Sequence, residues 1–209
     1  MPTYLMRIVC FAALLVSGPT LAQAPSAPDW VTALRGGGHV IVFRHGATYN
    51  DQADTDPLNI QNVAKQRQLN DQGRAEAKEI GDAMRALKIS VGEVRTSQFY
   101  RAVETGKLLG FGEGKASADY TEGGLIVSPN ENSRRTKAMR EMAAAMPTTG
   151  TNIVVVSHKP NILDAFGKDW FDVREGEASI FAPSGAGGHK LIARVQADEW
   201  RNLLQAGPN

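Results

Sequence analysis

The chain has 209 residues, 42% of them hydrophobic and 22% charged, which suits a folded domain with a substantial core and excludes a disordered, low-complexity chain. Its formal charge of +1 gives no electrostatic reason to expect nucleic acid or an anionic membrane surface as partner. The single cysteine, Cys10, excludes an intrachain disulfide or a multi-cysteine metal site.

The first segment reads as a secretory signal peptide. One basic residue, Arg7, precedes the apolar run IVCFAALLV at 8–16. Ser17, Gly18 and Pro19 then break any helix, and Ala22 supplies the small residue before a cut. Cleavage after Ala22 is expected in preference to Ala24, which would leave Pro25 just past the cut. The run is well short of the ~20 residues needed to span a bilayer, so no stable membrane anchor is expected. Cleavage would remove Arg7 and Cys10 together, leaving a neutral chain without thiols. Residues 23–28, QAPSAP, read as a flexible lead-in after cleavage, and residues 29–209 are expected to form one domain.

Residues 29–36 are expected to be a short helix, capped by Asp29 and ended by Gly36, Gly37 and Gly38. The apolar, β-branched run at 40–43 reads as a buried strand of a parallel sheet. Residues 48–68 are polar, interrupted by Pro57, and form a long loop of the kind that often carries function. Helices are expected at 70–87, 99–109, 132–146 and 160–166, and strands at 91–96, 116–120 and 152–156. Residues 178–181 and 190–195 read as a hairpin about the turn at 185–188. The alternation gives an α/β fold, a three-layer αβα sandwich with a mostly parallel central sheet, whose ligands bind beyond the carboxyl ends of the strands.

Chemistry-bearing residues recur at such ends. Arg44-His45-Gly46 follows VIVF, Arg101 follows TSQFY after the second strand, and Ser157-His158 follows NIVVV. Two arginines suit phosphate oxygens through their planar forks. A histidine nitrogen can attack phosphorus, and a second histidine can hydrogen-bond the equatorial oxygens.

VIVFRHGAT at 40–48, LNDQGRAEA at 69–77, RTSQFYRAVETG at 95–106 and VVVSHKPNI at 154–162 occur in one order along the chain. In these segments the sequence resembles the histidine phosphatase superfamily, that of the cofactor-dependent phosphoglycerate mutases. The resemblance implies that His45 is phosphorylated, that Arg44 and Arg101 clamp the phosphate, and that His158 completes the pocket. Gly46 would allow close backbone approach. Thr48 would bond phosphate or hold its loop. No metal or other cofactor is implied. Two glutamates are candidates for the proton donor to the leaving oxygen: Glu122, which follows the second arginine as in the mutase-like branch, and Glu177, which opens a strand. A third alternative is no fixed donor. The acid phosphatase branch places an aspartate directly after the second histidine, where this chain has Lys159.

The expected activity is hydrolysis of a small-molecule phosphate monoester, with a phosphorylated sugar among the candidates, in the periplasm or secreted medium. The alternatives are a phosphomutase, a phosphohistidine phosphatase, and a phosphate-binding module without turnover. His39 and His189 lie outside the motifs. Asp51, Asp54 and Asp56 read as a solvated loop, Asp164 as solvent-facing, and Trp30, Trp170 and Trp200 as core or interface residues. The sequence sets no oligomeric state.

Overall fold

The computed structural model describes residues 27–123 and 127–206. The expected signal segment lies outside the described residues. Helices α1 (Asp29–Gly36), α2 (Asp71–Ala86), α3 (Tyr100–Leu108), α4 (Pro129–Ala143), α5 (Lys159–Phe166) and α6 (Ala197–Ala206) surround a six-stranded sheet. Its strands are β1 (Val40–Arg44), β2 (Val91–Thr96), β3 (Lys115–Ala116), β4 (Asn152–Ser157), β5 (Ala178–Ser184) and β6 (Gly188–Val195), in spatial order β3-β2-β4-β1-β5-β6. The first four in that order run parallel, and β5 is antiparallel to both β1 and β6. The sheet is therefore mostly parallel, as expected.

The pleat sorts β1 onto two cores. Ile41 and Phe43 pack with residues of α1, α2, α3 and α6, around the fully buried Trp200. Val40 and Val42 face the other way, with Met139 and Ala143 of α4 and Ile162 and Ala165 of α5. Both faces are covered, which explains why β1 and β4 carry unbroken apolar runs at 40–43 and 153–156 instead of alternating.

The register of β1, β4 and β2 positions the chemistry. Arg44 lies opposite Ser157, and Thr96 lies opposite Val156. The His45 N–H then donates to Ser157 O (3.0 Å) and the Ser97 N–H to Val156 O (2.9 Å). Three strand ends, and the residues that follow them, thus share one edge of the sheet.

Three elements depart from expectation. The segment read as a strand at 116–120 is a two-residue strand followed by a turn of 3-10 helix, Ala118–Tyr120, because the Ser117 hydroxyl accepts from Asp119 N (3.1 Å) and starts the turn. Helix α4 begins at Pro129 because Ser128 caps it, accepting from Glu131 N (3.2 Å). Helix α6 was not anticipated, although Trp200, Leu203 and Leu204 recur at helical spacing and pack on the first core. Among the described residues no helix is long and apolar enough to cross a membrane.

Candidate active site

His45 is 2% exposed, at the turn out of β1. Its Nδ1 lies 2.8 Å from Gly46 O. A carbonyl only accepts, so Nδ1 carries the ring proton and Nε2 keeps a free lone pair. Nε2 makes no hydrogen bond among the described residues. Burial, followed by the Arg101 charge, holds the His45 pKa well below the usual histidine value, so the neutral ring is favoured.

The turn is held from two sides. Gly46 N donates to Thr105 Oγ1 (3.0 Å), whose hydroxyl donates to Arg101 O (2.7 Å), tying it to α3. The start of α2 also packs against it: a Cβ on Gly73 would lie 2.2 Å from Ala47 O and 2.5 Å from Ala47 N. Both are backbone atoms, so neither can swing away. Gly73→Ala is expected to cost about 1–3 kcal/mol, read from the urea unfolding midpoint, and to reduce phosphate affinity by displacing the His45 turn.

His158 opens α5 and is also buried. Its ring centroid is 5.2 Å from that of His45. His158 Nε2 lies 2.7 Å from Ser97 Oγ, whereas Ser97 Oγ is 3.3 Å from Thr121 Oγ1. The shorter contact favours the Ser97 hydroxyl donating to Nε2, which leaves Nδ1–H on the pocket side. That Nδ1 is buried without a hydrogen-bond partner, and Glu122 Oε1 is 3.6 Å away. Burial first, and then Arg101 and His45, hold the His158 pKa well below its usual value.

Arg101 is fully buried, its guanidinium 4.4 Å from the Phe99 ring centroid. Nη1 donates to Asp54 Oδ1 (3.0 Å) and Nη2 to Glu122 Oε1. Arg44 donates from Nη1 to Val173 O (2.9 Å) and from Nη2 to Glu175 Oε1 (3.2 Å), and desolvation lowers its pKa. The Thr48 hydroxyl donates to the same Glu175 oxygen (2.9 Å), which describes loop-holding, the second of its two expected roles.

The two candidate proton donors part company. Glu122 touches both Arg101 and His158. Glu177 is fully buried and committed elsewhere: Oε1 accepts from Arg194 Nε (2.5 Å), and Oε2 from Gln196 Nε2 (2.6 Å) and Arg174 N (3.0 Å). The structure joins Glu122, not the Glu177 carboxylate, to the histidines and arginines.

Asp54 is not a solvated loop residue. Its Oδ1 accepts from both Arg101 Nη1 and Arg67 N (2.9 Å), drawing loop 49–68 onto the pocket. Asp54 and Glu175 had no motif to mark them; an isolated carboxylate in a polar segment carries no sequence signal of its partner. His39 and His189 lie apart: His39 Nδ1 is 2.8 Å from Gly37 O, and His189 packs edge-on against Phe166 and Phe181.

Residues 40–123 match the family model of the histidine phosphatase superfamily, branch 1. That span contains Arg44, His45, Arg101 and Glu122, four of the side chains gathered here. A comparison with curated protein sequences gives no match. Among solved structures, the chain is similar to the protein histidine phosphatase SixA complexed with tungstate, at 17% identity and a TM-score of 0.53, covering 77% of this chain and 97% of that one. It is also similar to a mycobacterial glucosyl-3-phosphoglycerate phosphatase, at 16% identity and a TM-score of 0.54, covering 75% of this chain and 97% of that one. At these identities the likeness is one of fold. The matched segment, less than half of the chain, carries the arginine–histidine pair at the end of β1 and the arginine of α3 against it, and over that segment the chain is similar to the histidine phosphatase superfamily.

Proposed function

We propose that this protein is a phosphatase that hydrolyses a phosphate monoester through a phosphohistidine on His45 Nε2. The observation that carries the reading is the His45 Nδ1–H bond to Gly46 O, which fixes the tautomer and leaves Nε2 as a lone-pair nucleophile beside two arginines and a second histidine. The phosphoryl group binds against Arg44 and Arg101, with His158 Nδ1–H on an equatorial oxygen. Nε2 attacks phosphorus as the bond to the leaving oxygen breaks. Glu122 donates the proton that the leaving alkoxide needs. Water, giving its proton to the Glu122 carboxylate, then attacks the phosphohistidine, releasing inorganic phosphate and restoring both the neutral ring and the acid form of Glu122.

Two further features support a particular setting. A cleft of about 400 Å³ adjoins Arg44 through Glu175, and its lining includes Thr48, Asn70, Gln72, Arg174 and Gln196. Amides and hydroxyls of this kind suit a hydroxylated leaving group such as a sugar. The apolar run at 8–16, with its helix breakers and Ala22, supports action in the periplasm or outside the cell.

The test compares leaving groups. Wild type is expected to hydrolyse both an aryl phosphate and an alkyl phosphate. Glu122→Gln should lose about 10²-fold or more on the alkyl ester, whose alkoxide must be protonated, and much less on the aryl ester. No hydrolysis by wild type across both esters would overturn the reading. Equal losses on both would remove Glu122 from the donor role.

A further inference from the structure

A third arginine, Arg67, is anchored next to the pocket by its backbone, where its N–H donates to the Asp54 oxygen that also accepts from Arg101. Gln66 is buried, and its Oε1 accepts from Tyr100 N (2.7 Å), at the start of α3 and one residue before Arg101. Gln68 O accepts from Tyr49 N (3.2 Å), and Leu69 bridges Thr48. Residue 67 is therefore fixed between the segment that leaves His45 and the helix that carries Arg101. Asp54 locks it there, accepting from Arg67 N and Arg101 Nη1 on one oxygen.

The side chain at this position is uncommitted. Arg44 is paired with Glu175, and Arg101 with Asp54 and Glu122. The Arg67 guanidinium makes no hydrogen bond or ion pair among the described residues, although it is only half-exposed. Its charge nevertheless acts on His45, His158 and Arg44 together. A cation held beside three pocket residues, without a carboxylate of its own, is electrostatically costly until an anion arrives.

We propose that Arg67 is a substrate-binding residue, a third cation that takes the phosphate dianion alongside Arg44 and Arg101. This rests on the phosphatase reading for its substrate, but not for its binding measurement. It assigns loop 49–68 a direct part in affinity: the loop delivers Arg67, and the Asp54 node sets where it stands. The two paired arginines must share their forks with carboxylates when phosphate enters, whereas Arg67 gives up no protein partner.

Inorganic phosphate is the probe, with binding read by calorimetry on wild type, Arg67→Gln, Arg67→Lys and Lys65→Gln. Lys65 is an exposed cation two residues away and controls for diffuse charge. Arg67→Gln should weaken phosphate binding roughly 10–100-fold, with Arg67→Lys between it and wild type and Lys65→Gln near wild type. With an aryl phosphate, KM should rise by a similar factor and kcat change by only a few-fold, at an unchanged melting temperature. Unchanged phosphate affinity in Arg67→Gln, or equal small losses in Arg67→Gln and Lys65→Gln, would overturn the proposal. If wild type binds phosphate, loses it in Arg67→Gln, and yet hydrolyses no ester, the binding role stands and the phosphatase reading falls. If wild type binds no phosphate, both fall.

Discussion

Replacing His45 with alanine should lower turnover of any phosphate ester by at least about 10⁴-fold, because the proposed attacking atom is removed and nothing adjacent can substitute for it. His158 is the nearest second imidazole, but its Nε2 is held by Ser97 and its Nδ1 carries the proton in the favoured tautomer. The fold should persist, since among the described residues the only hydrogen bond of the His45 side chain is to its neighbour's carbonyl. A direct check uses labelled substrate and rapid quenching in base. Wild type should retain an acid-labile, base-stable phosphoryl label, and the alanine variant none. Label of equal size in both would move the nucleophile elsewhere. The pH dependence has a definite sign. His45 and His158 are held neutral below the usual histidine value, so the unfolded chain takes up protons that the native one does not. Stability is fully present above about pH 6.5 and falls as pH drops below it, with a slope of up to about 2.7 kcal/mol per pH unit for the two rings together. Activity should be lost through His45 protonation only well below pH 6.5. Unfolding midpoints between pH 7 and pH 5, for wild type against a variant lacking both rings, measure the slope.

The second large effect is expected at Arg101. Its two terminal nitrogens approach Asp54 and Glu122, and its stem is wholly buried. Arg101→Ala removes two donors from the transition-state phosphoryl group, for about 10³-fold or more in kcat/KM. It also leaves two partly buried carboxylates without their cation, so a loss of roughly 3 kcal/mol in stability should accompany it. Arg101→Lys separates the two effects. A lysine restores charge near the carboxylates and much of the stability, but a point charge cannot span both partners and a phosphate at once. Stability recovered without rate is the expected result, measured by denaturant midpoints and by aryl phosphate turnover. A lysine variant that regained most of the rate would show that charge alone, not the fork, matters at this position.

The strands and the four motif segments were legible because they are local. The apolar runs at 40–43 and 152–156 announce buried strands through their own composition, and Arg44, His45 and His158 follow within two residues. Convergence at one edge also followed, since parallel strands deliver their carboxyl ends to the same side. The departures come from short-range capping that competes with pattern: Ser128 before Pro129 started α4 early, and Ser117 turned a short strand into a helical turn.

The sequence by itself determined the αβα architecture and marked Arg44, His45, Arg101 and His158 as one candidate site, because each is written in a contiguous pattern of side-chain period and motif. Only the tertiary structure decided which carboxylates meet them. Glu122 and Glu177 stood equal in sequence, yet packing sent Glu177 to Arg194 and brought Glu122 to His158. Asp54 reaches Arg101 across 47 residues and Glu175 reaches Arg44 across 131. Such pairings depend on loop paths and sheet register, and a lone acidic residue carries no local trace of either.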